Sequence, residues 1–320
     1  MHTAARKPEL YVLVALSLFL TFLPVFVLVE GLLLSTLAPF PLIVIAVKYP
    51  WRYALSLIGL EAGIFVLVGG WQALLSFSQY GAMPLVIAGA VRHGCSLSQI
   101  IASSVLIPIG VGCVFLVVYA LLHRQPLSVL IATYLEQALQ TLHDYMQTVE
   151  QVTGDERASG LSELETLRQF MLAIFPSMLV INHLLTNILN YVAARYYCAR
   201  GQPPMQLDTE MLTHWRASDY VVWVFIASGM ALLLPVVELR TIGLNVFLVT
   251  LVVYLLQGLA ITVFWGQRLP IPVGGRWLLS LIGIVMAGTL CVVFCIAAGL
   301  FDLWADFRRL RRQPFVSRNV

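Results

Sequence analysis

The sequence predicts an all-α polytopic membrane helix bundle of eight to nine transmembrane helices, with a long amphipathic helical connection after the fifth. Three observations carry that expectation. Hydrophobic residues make up 60% of the chain and charged residues only 11%, where a soluble domain carries about 25% charge. Mean hydropathy is +0.88, so too little polar surface exists to cover a soluble core of this size. The apolar residues also come in runs that approach the roughly 20 residues needed to cross a bilayer as a helix.

Arg6 and Lys7 precede the first run, Leu10–Val29. It is longer than a signal-peptide core and continues to Glu30 without a small-residue cleavage site, so it reads as an uncleaved first span. Next comes the short segment Leu32–Val47, interrupted by Pro39 and Pro41, and then Arg52–Leu75. Ala82–Val91 is again short and contains Pro84; Gln99–Leu122 is long. Short, proline-interrupted segments are tolerated at membrane depth where they are buried in protein or line a cavity. Phe170–Ala194, Tyr220–Val237, Ile242–Trp265 and Trp277–Leu300 complete the set.

The expected organisation is an N-terminal five-span unit over 1–123, an acidic connection over 124–169, a C-terminal four-span unit over 170–301 and a basic tail over 302–320. Seven of the sixteen acids lie between Arg124 and Arg168. Leu127, Leu130, Ile131, Tyr134, Leu135, Ala138, Leu142, Tyr145, Met146 and Val149 recur there at helical spacing, the pattern of an amphipathic helix broken near Gly154 and Gly160. Its polar face is acidic and Gln-rich, which does not suit anionic lipid. It suits a cover over the bundle mouth or a protein partner.

With a cytoplasmic N-terminus and nine crossings, Lys48, Arg52, Arg92, Arg195, Arg200, Arg216, Arg268 and Arg276 fall inside and the acidic connection outside. Arg308, Arg309, Arg311 and Arg312 then fall outside, and eight crossings would return them. The expected location is the bacterial inner membrane, multi-pass. The five cysteines form no CxxC pair. No phosphate-binding loop, dinucleotide fingerprint, zinc-protease helix or nucleophile elbow occurs. No enzyme, metal or cofactor is therefore expected, and the short arginine tail gives no case for nucleic acid.

Polar residues at membrane depth mark the candidate site, because such residues are costly there. Glu61 lies mid-span, flanked by Gly59 and Gly63, which four-residue spacing would let pack closely against another helix. It reads either as a proton- or ligand-binding carboxyl or as a protonated carboxyl bonded to a neighbouring helix. Asn182, His183, Thr186, Asn187 and Asn190 form the densest cluster, and 183, 186, 187 and 190 share one helix face. That stripe either joins helices or lines a cavity. Gln257 is the one amide between Val246 and Phe264, beside Gly258; an amide both donates and accepts and so either cross-links two helices or contacts a ligand. The ligand-binding set is thus Glu61, Asn182, His183, Asn187, Asn190 and Gln257. Asp302 and Asp306, four apart, with Arg308 beyond them, read as an interfacial anchor beside Trp304.

The order of pieces carries a resemblance: the Pro-Phe-Pro segment, MPLVIAGAVRHG, NHLLTNILNYVAAR, LLQGLAI and the closing GLFDLWADFR. It resembles the YybS-like family of bacterial inner-membrane proteins over almost the whole chain. That family's N-terminal half is similar to the substrate-binding S components of energy-coupling-factor vitamin transporters. The resemblance implies a small-molecule site within the membrane and names no ligand. The first span lacks the small-residue pairs with which S components dock their energising subunit. The expected function is binding or transport of a small molecule within the bundle. The alternative is a non-transporting scaffold or assembly factor that recruits a protein partner through 124–169.

Overall fold

The computed structural model describes residues 7–26, 34–127, 160–201, 212–268 and 273–309, with residue 270 and scattered positions between 129 and 140. Among them every regular element is helical. We label these α1 (Lys7–Phe26), α2 (Pro39–Lys48), α3 (Trp51–Arg92), α4 (Leu97–His123), α5 (Gly160–Arg200), α6 (Val221–Ala231), α7 (Val237–Gly266) and α8 (Val273–Ala305), with a 3-10 turn at Leu212–His214.

The chain divides into two compact units, one of residues 1–95 and 99–208, the other of 96–98 and 209–320. The expected boundaries at 123 and 169 do not coincide with this division. The reason lies in α5, which packs on α2 and reaches α1 through the Tyr197 hydroxyl, donating to Glu9 at 3.2 Å. The span over 170–194 therefore joins the first unit. Most of the acidic connection (141–159) lies outside the described residues; Gly160, expected as a break, begins α5.

In the first unit α2 is the innermost element. Leu42, Ile43, Val44, Ile45 and Ala46 are all at most 3% exposed, because a helix apolar on every side finds burial on every side. The 3-10-like turn before it, with Leu37 N–H bonded to Leu34 O and Ala38 N–H to Ser35 O, precedes Pro39, whose missing N–H is harmless at a helix start.

The element α3 is helical over 42 residues and would be about 63 Å long if straight. It is not straight. Arg92 donates to the Tyr49 carbonyl at 2.6 Å and lies over the Trp51 ring, and Phe65 stacks on Phe77 at 5.1 Å. The helix therefore doubles back between those two phenylalanines, where the sequence holds Gly69–Gly70; paired glycines are a usual cause of sharp kinks. The expected segment Arg52–Leu75 thus runs past this turn, and Ala82–Val91 lies in the returning limb. Its C-terminus closes on Gly94, φ +67°, with Cys95 N–H on Ala90 O and Gly94 N–H on Val91 O, the left-handed cap that glycine adopts without strain.

Glu9, Lys48, Tyr49, Arg92 and Tyr197 gather at one end of this unit through Glu9's bonds to Lys48, Tyr49 and Tyr197 and the Arg92–Tyr49 contact. From that end α1 runs away, α2 returns, α3 goes out and back, α4 goes out and α5 returns.

In the second unit α7 packs on both α6 and α8. The expected span Tyr220–Val237 is only the 11-residue α6, since Pro235 cannot continue a helix. The α7–α8 contact is backbone on backbone. A Cβ placed on Gly258 would stand 1.8 Å from the Cys295 carbonyl oxygen, and one on Gly299 would stand 2.0 Å from the Tyr254 carbonyl oxygen. Five stretches among the described residues are long and apolar enough to cross a membrane: Trp51–Val68, Leu97–His123, Gln169–Arg200, Val237–Gly266 and Gly288–Ala305. Pro8–Pro24, Pro39–Lys48, Gly81–Arg92 and Val221–Ala231 are apolar but shorter, so the expected eight to nine crossings exceed the five that meet the length.

Candidate functional site

Most of the sequence-predicted residues fall into three groups. The first is the α5 stripe. His183, Thr186, Asn187 and Asn190 are all at most 5% exposed, while Leu185, Leu189 and Val192 on the other side are 37–47% exposed. That is the division a 3.6-residue period makes when one face is polar and the surroundings are apolar. Asn182 does not belong to the stripe: it is exposed, because it lies one residue, about 100°, off the buried face.

Asn187 Nδ2 donates to the Ser104 carbonyl at 2.7 Å and to the Ser104 hydroxyl at 3.0 Å on α4. Asn190 Nδ2 donates to Thr36 O at 2.7 Å, in the turn before α2, and to Thr186 O at 2.8 Å. Carbonyl oxygens accept and cannot donate, so these contacts fix which end of each amide is nitrogen. The two remaining atoms, Asn187 Oδ1 and Asn190 Oδ1, are buried acceptors with no hydrogen-bond partner among the described residues. Two such oxygens stand one turn apart on the same buried face. The partners Ser104 and Thr36 were not singled out from the sequence. Ser103–Ser104 within an apolar span was the available signal; a backbone carbonyl leaves none.

The second group is Glu61 with α1. Glu61 is 1% exposed. Its Oε1 accepts from the Ser17 hydroxyl at 2.8 Å and, at 3.5 Å, from the Thr21 hydroxyl. Ser17 and Thr21 are one turn apart on α1, a small signal the sequence did offer. Gly59 and Gly63 do not mark the expected close approach: nothing among the described residues lies within 4 Å of a Cβ at either, and both are exposed. Residues two positions from Glu61 point to nearly the opposite side of the helix, so they cannot share its contact.

The third group closes the second unit. Gln257 is 2% exposed; its Oε1 accepts the Ala217 N–H at 3.0 Å and its Nε2 donates to Asp302 Oδ2 at 3.1 Å. Arg308, also 2% exposed, donates to the same Asp302 oxygen at 2.9 Å and to Thr213 O and Trp215 O at 2.8 and 2.9 Å. Phe307 N–H fills the other Asp302 oxygen at 2.9 Å. Both ends of the Gln257 amide are engaged. The expected interfacial anchor differs here. Asp302 and Arg308 form a buried ion pair, and Asp306 lies past the end of α8 with φ +44°, so it does not share Asp302's helical face. Trp304 is the exposed member, at 64%.

Among the described residues no group of three or more histidine, cysteine or carboxylate side chains is placed to hold a metal.

Against known proteins, one family model, described as "Predicted membrane protein (DUF2232)", matches residues 11–303. The chain belongs to this family. The match takes in the first two polar groups and Gln257 and Asp302 of the third, and stops short of Arg308. No curated protein matches the chain, and no solved structure does. Membership therefore establishes a membrane protein and leaves the activity to the geometry.

Proposed function

We propose that this protein binds a small polar solute inside its N-terminal unit, at the α5 stripe between Ser104 on α4 and the turn preceding α2. The single observation that carries this reading is the pair of buried amide oxygens, Asn187 Oδ1 and Asn190 Oδ1, left without donors among the described residues. A buried acceptor left unmet costs about 1–3 kcal/mol, so two of them on one face favour a bound donor. The solute therefore carries hydrogen-bond donors, such as hydroxyl, amide or ammonium groups. The turn at 36–38, which interrupts the helix between 34–35 and α2, supports the reading, because transporters place their sites at discontinuous helices. The likeness to vitamin-transporter S components, and a bacterial inner-membrane location, belong with this reading; so does the absence of chemistry on the solute. Movement of the solute across the bilayer is the role we assign to binding.

Native mass spectrometry of the full chain released from lipid nanodiscs tests it. The expected result is a retained small mass on the protein that is lost in Asn187→Leu. Bare protein in both cases would contradict it. Retention of a second polypeptide instead would favour the scaffold reading.

A further inference from the structure

We propose that Glu61 is an exchangeable proton-binding site at membrane depth, with Ser17 and Thr21 of α1 as its hydroxyl partners. This stands apart from the solute site and uses none of its residues. Glu61 sits ten residues into the span that begins at Trp51, about 15 Å from that end, which is half the thickness of a bilayer core. It is 1% exposed. Both groups bonded to it are neutral hydroxyls, and no ion pair reaches it among the described residues.

The charges on neighbouring elements are committed elsewhere. On α1, Glu9 takes the Lys48 ammonium and Tyr11 is 67% exposed. On α2 the only titratable side chain is that same Lys48. On α3 itself, Arg52 and Tyr53 lie together at the start and Arg92 holds the Tyr49 carbonyl. The Lys7 and Tyr80 side chains lie outside the described residues. A carboxylate at this depth with no cation beside it costs several kcal/mol, and binding a proton removes that cost.

The hydroxyls explain how a proton enters and leaves. Ser17 is fully buried, but Thr21, one turn on, is only partly so. A hydroxyl both donates and accepts, so Thr21 connects the Glu61 carboxyl to the less buried side of α1. Proton occupancy also sets the α1–α3 contact. The neutral acid accepts weakly from two hydroxyls. The carboxylate demands more donors than Ser17 and Thr21 supply and draws in water.

The test is infrared spectroscopy of the full chain in lipid nanodiscs across a pH series, with Glu61→Gln as reference. The expected result is a protonated-carboxyl carbonyl band at neutral pH that is absent from Glu61→Gln. It shifts in deuterium oxide and gives way to a carboxylate band as pH rises. A wild-type spectrum with no such band at any pH, or with a band that neither titrates nor exchanges, overturns the proposal. If Glu61→Gln fails to fold, Glu61→Asp serves instead: a proton site at this position keeps a titrating band at a moved frequency, and an unmoved band overturns the assignment.

Discussion

At the scale of single residues, one chemical type does two different jobs. Gln257, Asn187 and Asn190 are all buried amides, yet among the described residues Gln257 has both ends met and the two asparagines have only their nitrogens met. The distinction comes from partners far along the chain, Ala217 and Asp302 for one, Ser104 and Thr36 for the others. No spacing rule reports such partners. Arg308 is the sharpest case: from the sequence it reads as part of an interfacial anchor, and it is instead 2% exposed and the largest buried side chain among the described residues. Breaking a buried ion pair leaves an uncompensated charge, at about 3–5 kcal/mol. Arg308→Met should therefore lower stability by that amount in a denaturant titration of the detergent-solubilised protein. Asp302→Leu combined with Arg308→Met should recover much of the loss. Gln257→Leu should cost less, about 1–2 kcal/mol, and should leave any solute retained by the first unit unchanged.

At the scale of elements, helix existence was legible and helix geometry only partly so. Long apolar runs and the 183–186–187–190 period identified α4, α5 and α7 and the buried face of α5, because burial in an apolar medium sorts side chains by period alone. The reversal within α3 was legible only as two separate apolar segments; its place was not, since Gly69–Gly70 lie inside the expected segment Arg52–Leu75. Glycines were legible as small residues but not as contacts. Gly59 and Gly63 are exposed on α3 with nothing among the described residues within 4 Å of a Cβ there, whereas Gly258 and Gly299 hold α7 against α8. Only the crossing partner decides which pair matters. Gly258→Ala and Gly299→Ala should each destabilise by about 1–3 kcal/mol or more, the cost of overpacking, as read by thermal unfolding. Gly59→Ala should be neutral or slightly stabilising, since alanine is the better helix former.

At the scale of the whole molecule, the charge pattern orients the first unit. Glu9, Lys48, Arg92 and Tyr197 meet at one end, and α4 runs from near that end for about 40 Å to Arg124, whose left-handed φ of +53° ends the helix. If Lys and Arg are retained on the cytoplasmic side, residue 93 is expected inside and residue 125 outside. In a background with the five native cysteines replaced, Gln125→Cys should react with an impermeant maleimide in intact spheroplasts and His93→Cys only after lysis; the reverse pattern would invert the orientation. The division into units was not legible, because the expected boundary followed the acidic connection while the packing of α5 on α2 crosses it. The central claim, a donor-bearing solute held by Asn187 and Asn190, is tested most directly by cryo-electron microscopy of the gently purified full chain in nanodiscs. The account predicts non-protein density within hydrogen-bond distance of both amide oxygens, larger than a single water. Amide oxygens met by protein donors, or by isolated waters alone, would contradict it.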